Sequence, residues 1–213
     1  MSLRHQRSPY RYHVDRFVTA ALPQGSHLTG LDVGGPSPQR RPLGQRWETI
    51  NPNPGARAEY LGFAEDLGTF EDHEFDIVQA TDMLYLVVDI PKALGEMRRV
   101  LKEGGTLVAS VPCMWPPSEA ADWGRWSATG WLRAFETAGL CATVTPLGGK
   151  WTLLEQLWHN YADWWPPVLC RLDRTMDWPV AYGILAQPRV PSPTFGGQPI
   201  SWDTVARISK DGP

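Results

Sequence analysis

The sequence predicts an α/β domain: a doubly wound, mostly parallel sheet with helices on both faces. Three observations predict it. Short apolar runs alternate along the chain with amphipathic segments, the pattern of strands joined through helical crossovers. The first such run ends in the pair Gly34-Gly35, where a sheet of this kind turns from its central strand toward a helix. The chain has 213 residues, 42% of them hydrophobic, which suits one domain with its own core.

The elements follow in order. Residues 9–22 read as an opening helix, with Ser8 as N-cap and Pro9 as first helical residue. Tyr12, Val14, Phe17 and Val18 recur at helical spacing, and Pro23 and Gly25 break the pattern. His27 to Val33 is the first, central strand. Trp47 to Asn51 is the second, stopped by Pro52-Asn53-Pro54-Gly55. Glu59 to Gly62 makes a short third strand and Phe75 to Ala80 a fourth. Ile90 to Leu101 is an amphipathic helix carrying Ile90, Ala93, Leu94, Met97, Val100 and Leu101 on one face, with Gly104-Gly105 as its C-terminal stop. Thr106 to Val111 is a fifth strand, closed by Pro112. Thr129 to Ala138 is a helix, Cys141 to Leu147 a sixth strand, Trp151 to Trp165 a further helix, and Val180 to Ala186 a last strand. The domain is expected over 1–187. Residues 188–213, rich in Pro, Gly and Ser, read as an extended tail.

Composition narrows the function. A net charge of -3 and a single short basic cluster, Arg40-Arg41 with Arg46, give no surface for a phosphate backbone. No apolar run has the length of a membrane span. Three cysteines without CxxC spacing argue against a disulfide framework and for reduced thiols in the cytoplasm. No compact His/Cys/Asp/Glu spacing points to a metal. A homodimer is compatible with this composition. The 11 tryptophans are concentrated in the second half. They read either as packing or as a wall over an apolar or planar substrate.

The expected site lies beyond the carboxyl ends of the strands, at the turn Asp32-Val33-Gly34-Gly35-Pro36. Glycines there allow a close backbone approach, either to a ligand or within a tight connection. Asn51 follows Asp32 at the end of the second strand, a position that reads ribose hydroxyls in nucleotide-type cofactors.

LDVGG (31–35), AEDLGTFEDHEFDIV (64–78) and KALGEMRRVLKEGGTLVASVP (92–112) occur in this order, followed by RWSATGWLRAFETAGL (125–140) and WPVAYGILAQ (178–187). The succession resembles the class I S-adenosylmethionine-dependent methyltransferase family, in its type 11-like subgroup. The resemblance implies a Rossmann-like seven-stranded sheet with an antiparallel last strand and S-adenosyl-L-methionine as cofactor. It also implies O- or N-methylation of a small molecule, such as a natural-product intermediate or a sugar. Carried position by position, it marks Asp32, Gly34, Gly35, Asn51, Ala64, Glu65 and Leu67 for the cofactor. The chain departs from the family pattern at Pro36, Asn51 and Phe63, which leaves a catalytically degenerate binding or scaffold protein as the alternative.

For chemistry, Asp82, just past the fourth strand, is the candidate base; its other reading is an N-cap of the next short helix. Tyr85 is a second candidate. His13, on the helix that in this architecture lies over the donor site, is a candidate catalytic residue or a half-buried histidine. The acceptor side is expected to use Trp115, Trp123, Trp126 and His159.

Overall fold

The computed structural model describes residues 8–36, 41–114, 122–161 and 179–189, with the side chains of 159–161 left aside. Its seven strands form one sheet: β1 (Thr29–Val33), β2 (Arg46–Asn51), β3 (Tyr60–Leu61), β4 (Phe75–Thr81), β5 (Leu101–Pro112), β6 (Leu140–Leu147) and β7 (Ala181–Pro188). The spatial order is β3-β2-β1-β4-β5-β7-β6. Strands β1 to β5 are parallel, and β7 runs antiparallel between β5 and β6. The expected Rossmann-like sheet with its antiparallel last strand is what the chain forms.

Helices cover both faces. Helix α1 (Pro9–Ala21) and α4 (Lys150–Tyr161) lie on one side; α2 (Ile90–Val100) and α3 (Ala128–Thr137) lie on the other. Ser8 does cap α1, its side chain accepting from the Arg11 N–H. Val14 and Val18 then bury fully against Ile77 and Val108. Phe17 crosses β7 where Gly183 leaves room; a Cβ there would fall 2.6 Å from the ring. On the opposite face Leu94, Met97, Trp131 and Phe135 are sealed against Val78, Leu107 and Ala109.

One boundary differs from expectation. Helix α2 ends at Val100, and β5 begins at Leu101, five residues before Thr106. Gly104 and Gly105 are therefore no helix stop. Phe75 pairs with Leu101, but Ile77 pairs with Thr106, so the intervening residues bulge out of the ladder. Gly104 sits at φ +83, and a Cβ on Gly105 would fall 2.8 Å from Leu101 Cδ1. The glycines serve the bulge, where a left-handed backbone and a close approach are both required. Of the helix expected over 151–165, the part to Tyr161 is present as α4 and the rest lies outside the described residues, as does the tail from residue 190.

The loop before β4 is fastened to α2 by charge. Arg99 donates to the carbonyls of Leu67 (2.9 Å) and Phe70 (3.0 Å) and to the carboxylates of Asp72 and Glu96. Glu96 in turn accepts from the Leu67 N–H at 2.9 Å. Arg99's hydrogen bonds hold the Glu96 carboxyl below its ordinary 4.5, against the effect of burial. Arg99→Ala is expected to lower unfolding stability by about 2 kcal/mol in urea titration, since several charge-assisted bonds go at once. A carboxyl lowered in the folded state stabilises above its unfolded value and loses that contribution as pH falls. Glu96→Gln should therefore lower stability at neutral pH and flatten the loss of stability below pH 4.5. Equal acid slopes for both proteins would contradict this.

Candidate active site at the carboxyl edge of the sheet

Strand order reverses between β1 and β4, so the carboxyl ends of these two strands open a crevice. On the α1 side of that edge, neighbouring strands present Asp32, Gln79, Thr81 and Ser110; Asp32 pairs with Gln79 and Thr81 with Ser110. These polar groups form a seam along the carboxyl edge of that face.

At one end of the seam stands Asp32, with 1% of its side chain exposed. Arg41 Nη2 donates to its Oδ2 at 3.1 Å, and Gln79 Nε2 lies 3.4 Å from its Oδ1. The Arg41 guanidinium also stacks over Trp47, 5.4 Å from the ring centroid. Arg41 Nε, Gln79 Oε1 and Thr81 Oγ1 are buried and have no hydrogen-bond partner among the described residues. Buried polar atoms are ordinarily paired, so the seam is suited to a polar guest.

At the other end stands Asp82, at φ 55 just past β4. Its Oδ1 accepts from the Tyr10 hydroxyl and from Ser110 Oγ, each at 2.6 Å. Its Oδ2 is 3.0 Å from Arg11 Nη1. A cavity of about 190 Å³ opens beside it, lined by Tyr10, Arg11, Asp82, Tyr85 and Pro112. Burial, then the charge and hydrogen bond of Asp82, push the Tyr10 hydroxyl well above its ordinary range. Tyr10 therefore stays a proton donor to Asp82. The Tyr85 hydroxyl is raised by burial and by the same carboxylate.

The structure gives several expected residues other tasks. Asn51 Nδ2 donates to the carbonyls of Gly34 (2.8 Å) and Gly35 (2.7 Å), while its Oδ1 accepts from Asn53 N–H. Its Nδ2 holds the glycine turn, a task the sequence reading had not given it. Leu67 is fully buried, with both backbone groups tied to α2. Ala64 is buried in the core as well, and Glu65 accepts from the Val88 N–H at 3.2 Å. These three shape the loop from within; Phe63, 64% exposed, is the residue that faces outward there.

Gly34, at φ +82, backs onto Met83, and Gly35 packs against the Asp32 carboxylate. Asp82 is not an N-cap: Met83 occupies that position of the following 3-10 turn and makes no capping bond. His13 points to α4 instead of the cavity, with Nε2 2.9 Å from Thr152 Oγ1. Trp123 is largely exposed, and its backbone N–H reaches the Tyr85 carbonyl at 2.9 Å, beside the cavity. Trp126 packs on Trp131, ring centroids 4.9 Å apart, as part of the α3 face of the core. His159 lies on α4 with its side chain outside the described atoms, and Trp115 lies outside the described residues.

Sequence reasoning missed Tyr10, Arg11, Ser110, Arg41 and Gln79. Tyr10 and Arg11 look like two more residues of an amphipathic turn, and only the fold carries them to Asp82, 72 positions away from Tyr10. Among the described residues no group of His, Cys, Asp or Glu could hold a metal ion, and no helix is long and apolar enough to cross a membrane.

If Asn51 holds the turn, Asn51→Asp places a carboxylate against two carbonyl oxygens. It should destabilise the fold by about 1–3 kcal/mol, the range for leaving buried hydrogen-bonding groups unmatched. Chemical denaturation checks this, and an unchanged midpoint would release Asn51 from the role.

Comparison with known proteins agrees with this geometry. Residues 16–109 match the family model described as a methyltransferase domain. No curated protein matches the sequence significantly. Among solved structures, the chain is similar to the protein in complex with the Haloferax volcanii Trm112 methyltransferase activator, at 21% identity and TM-score 0.62, covering 83% of this chain and 90% of that one. It is similar to the [4+2]-cyclase SpnF at 18% identity and TM-score 0.60, covering 87% and 84%. An S-adenosylmethionine-dependent methyltransferase from Mesorhizobium loti matches at 14% identity and TM-score 0.58, covering 80% and 95%. Identities this low establish the shared fold. Strand order and glycine turn thus agree with the fold of these structures, and residues 16–109 resemble a methyltransferase domain.

Proposed function

We propose that the chain methylates a small-molecule acceptor bound in the Asp82 cavity, with S-adenosylmethionine as donor. The observation that carries this reading is the seam itself. It leads from the glycine turn, past the unpaired Gln79 and Thr81 oxygens, to a carboxylate on a cavity wall. The residues fit the donor's amino-acid end: Asp32 and Gln79 Oε1 suit an ammonium, and Arg41 Nε suits a carboxylate. Phe63, exposed on the loop after β3, would cover the base. When bound, the donor supplies a methyl group already activated on a sulfonium.

The chain's own work is then alignment, which supplies up to ~7–11 kcal/mol in favourable reactions. Tyr10 and Ser110 fix one oxygen of Asp82, so that the other side of the carboxylate meets the acceptor in a set direction. Asp82 holds the reacting group and receives its proton where one must leave. A cytoplasmic setting is consistent with three cysteines that show no CxxC spacing. Residues 1–187 are taken as the catalytic unit.

A second reading follows from Asn51 and Phe63: a protein that kept the fold and no longer transfers methyl groups. One structural neighbour is named for a cyclisation, which shows that the fold does not dictate the reaction. Titration with S-adenosylhomocysteine separates the two. At 100 times its dissociation constant it should add ~2.7 kcal/mol of stability; an unmoved melting curve would end the methyltransferase reading. Asp82→Asn is expected to reduce turnover by about 10²–10⁴-fold while S-adenosylhomocysteine affinity stays unchanged. Full activity in that variant would remove Asp82 from the chemistry.

A further inference from the structure

We infer that the acceptor presents a protonated nitrogen, an alkyl or arylalkyl ammonium, to Asp82. The inference rests on the methyltransferase reading of the cavity and adds the chemical class of its second substrate.

The charges around the cavity are unequal in their surroundings. The Asp82 side chain is 10% exposed, whereas that of its partner Arg11 is 47% exposed. A half-solvated guanidinium on a flexible stem gains little from such a pair, and returning it to water is cheap. A carboxylate this buried cannot be left without a cation. Of the two charges, Arg11 is thus the one that a guest can displace. An incoming ammonium restores the pair. A hydroxyl restores one hydrogen bond and no charge. An anionic acceptor sets a like charge against Asp82, the one carboxylate among the described lining residues.

The walls favour the same class. Tyr10 and Tyr85 both keep their protons, so their rings offer neutral π faces. Cations are attracted to such faces, and the Tyr85 ring already carries one, with Arg125 Cζ 6.0 Å from its centroid. Arg125 is itself held by Asp122 and is 18% exposed, against 47% for Arg11. In turnover the ammonium releases one proton by way of Asp82 to water. The nitrogen lone pair then forms the N–C bond as the C–S pair stays on sulfur. The products are a methylated ammonium and a neutral thioether.

The test is calorimetric titration of the full chain, saturated with S-adenosylhomocysteine, with three probes of one shape: 2-phenylethylamine, 2-phenylethanol and 3-phenylpropanoate. The amine is expected to bind at least tenfold more tightly than the alcohol, and the acid not to bind. Asp82→Asn should erase the amine's advantage. Arg11→Gln should tighten amine binding several-fold, because a competitor is removed. The inference is overturned if the amine fails to bind, if the alcohol equals it, or if the acid binds best and loses affinity in Arg11→Gln. The wild-type ranking of the probes decides the matter even where a variant folds poorly. S-adenosylhomocysteine binding is measured first. Its failure sinks the donor reading, and the probe ranking on the unliganded chain then judges the amine inference separately.

Discussion

Asp32 is a carboxylate almost sealed from solvent, and the site is arranged around what that demands. A buried charge without a partner costs far more than a fold of this size can absorb. Stripping one member from such a pair typically costs about 3–5 kcal/mol. Arg41 meets the demand, and its own position is then fixed by Trp47 beneath it. Trp47 lies across β1, and Gly30 is the consequence: a Cβ there would fall 2.6 Å from the indole ring. One ion pair thus draws a tryptophan and a glycine into its support.

The two faces of the sheet are built on different rules. Under α2 and α3 the packing is apolar throughout, from Leu31 and Val78 to Phe135 and Ala186. Under α1 and α4 the middle of the sheet is apolar, but its carboxyl edge turns polar from Asp32 to Ser110. Parallel strands buried on both sides normally read as continuous apolar runs. Polar residues at the ends of β1, β4 and β5 break that rule together, on one face and at one edge. Local rules fail in this way where a protein has chemistry to do.

Much of the fold was legible in the sequence because its signals are local. Caps, helical spacing and glycine stops lie within a few residues of one another, and Ser8, Pro9 and the α2 face all behave as the pattern predicts. The Gly104-Gly105 pair misled because a glycine pair after a helix and a glycine pair in a bulge look alike; the pairing of Phe75 with Leu101 decides between them. The site was legible only at its anchors. Asp32 and Asp82 stand at strand ends, where position along the chain predicts position in space. The hold of Asn51 on the turn was not legible, because the carbonyls it binds are visible only once the turn is folded. Tyr10 and Arg11 carry no sign of their role, since nothing near them in sequence relates to β4.

Helix α1 serves two purposes along its length. Its later turns, through Val14, Phe17 and Val18, close the sheet against water. Its first turn delivers Tyr10 and Arg11 to the cavity. Arg11 sits where substitution leaves the buried stripe of the helix untouched. Of the two, Arg11 can change without endangering the fold, because it is not among the residues that keep the core dry, whereas Tyr10 belongs to the buried cluster.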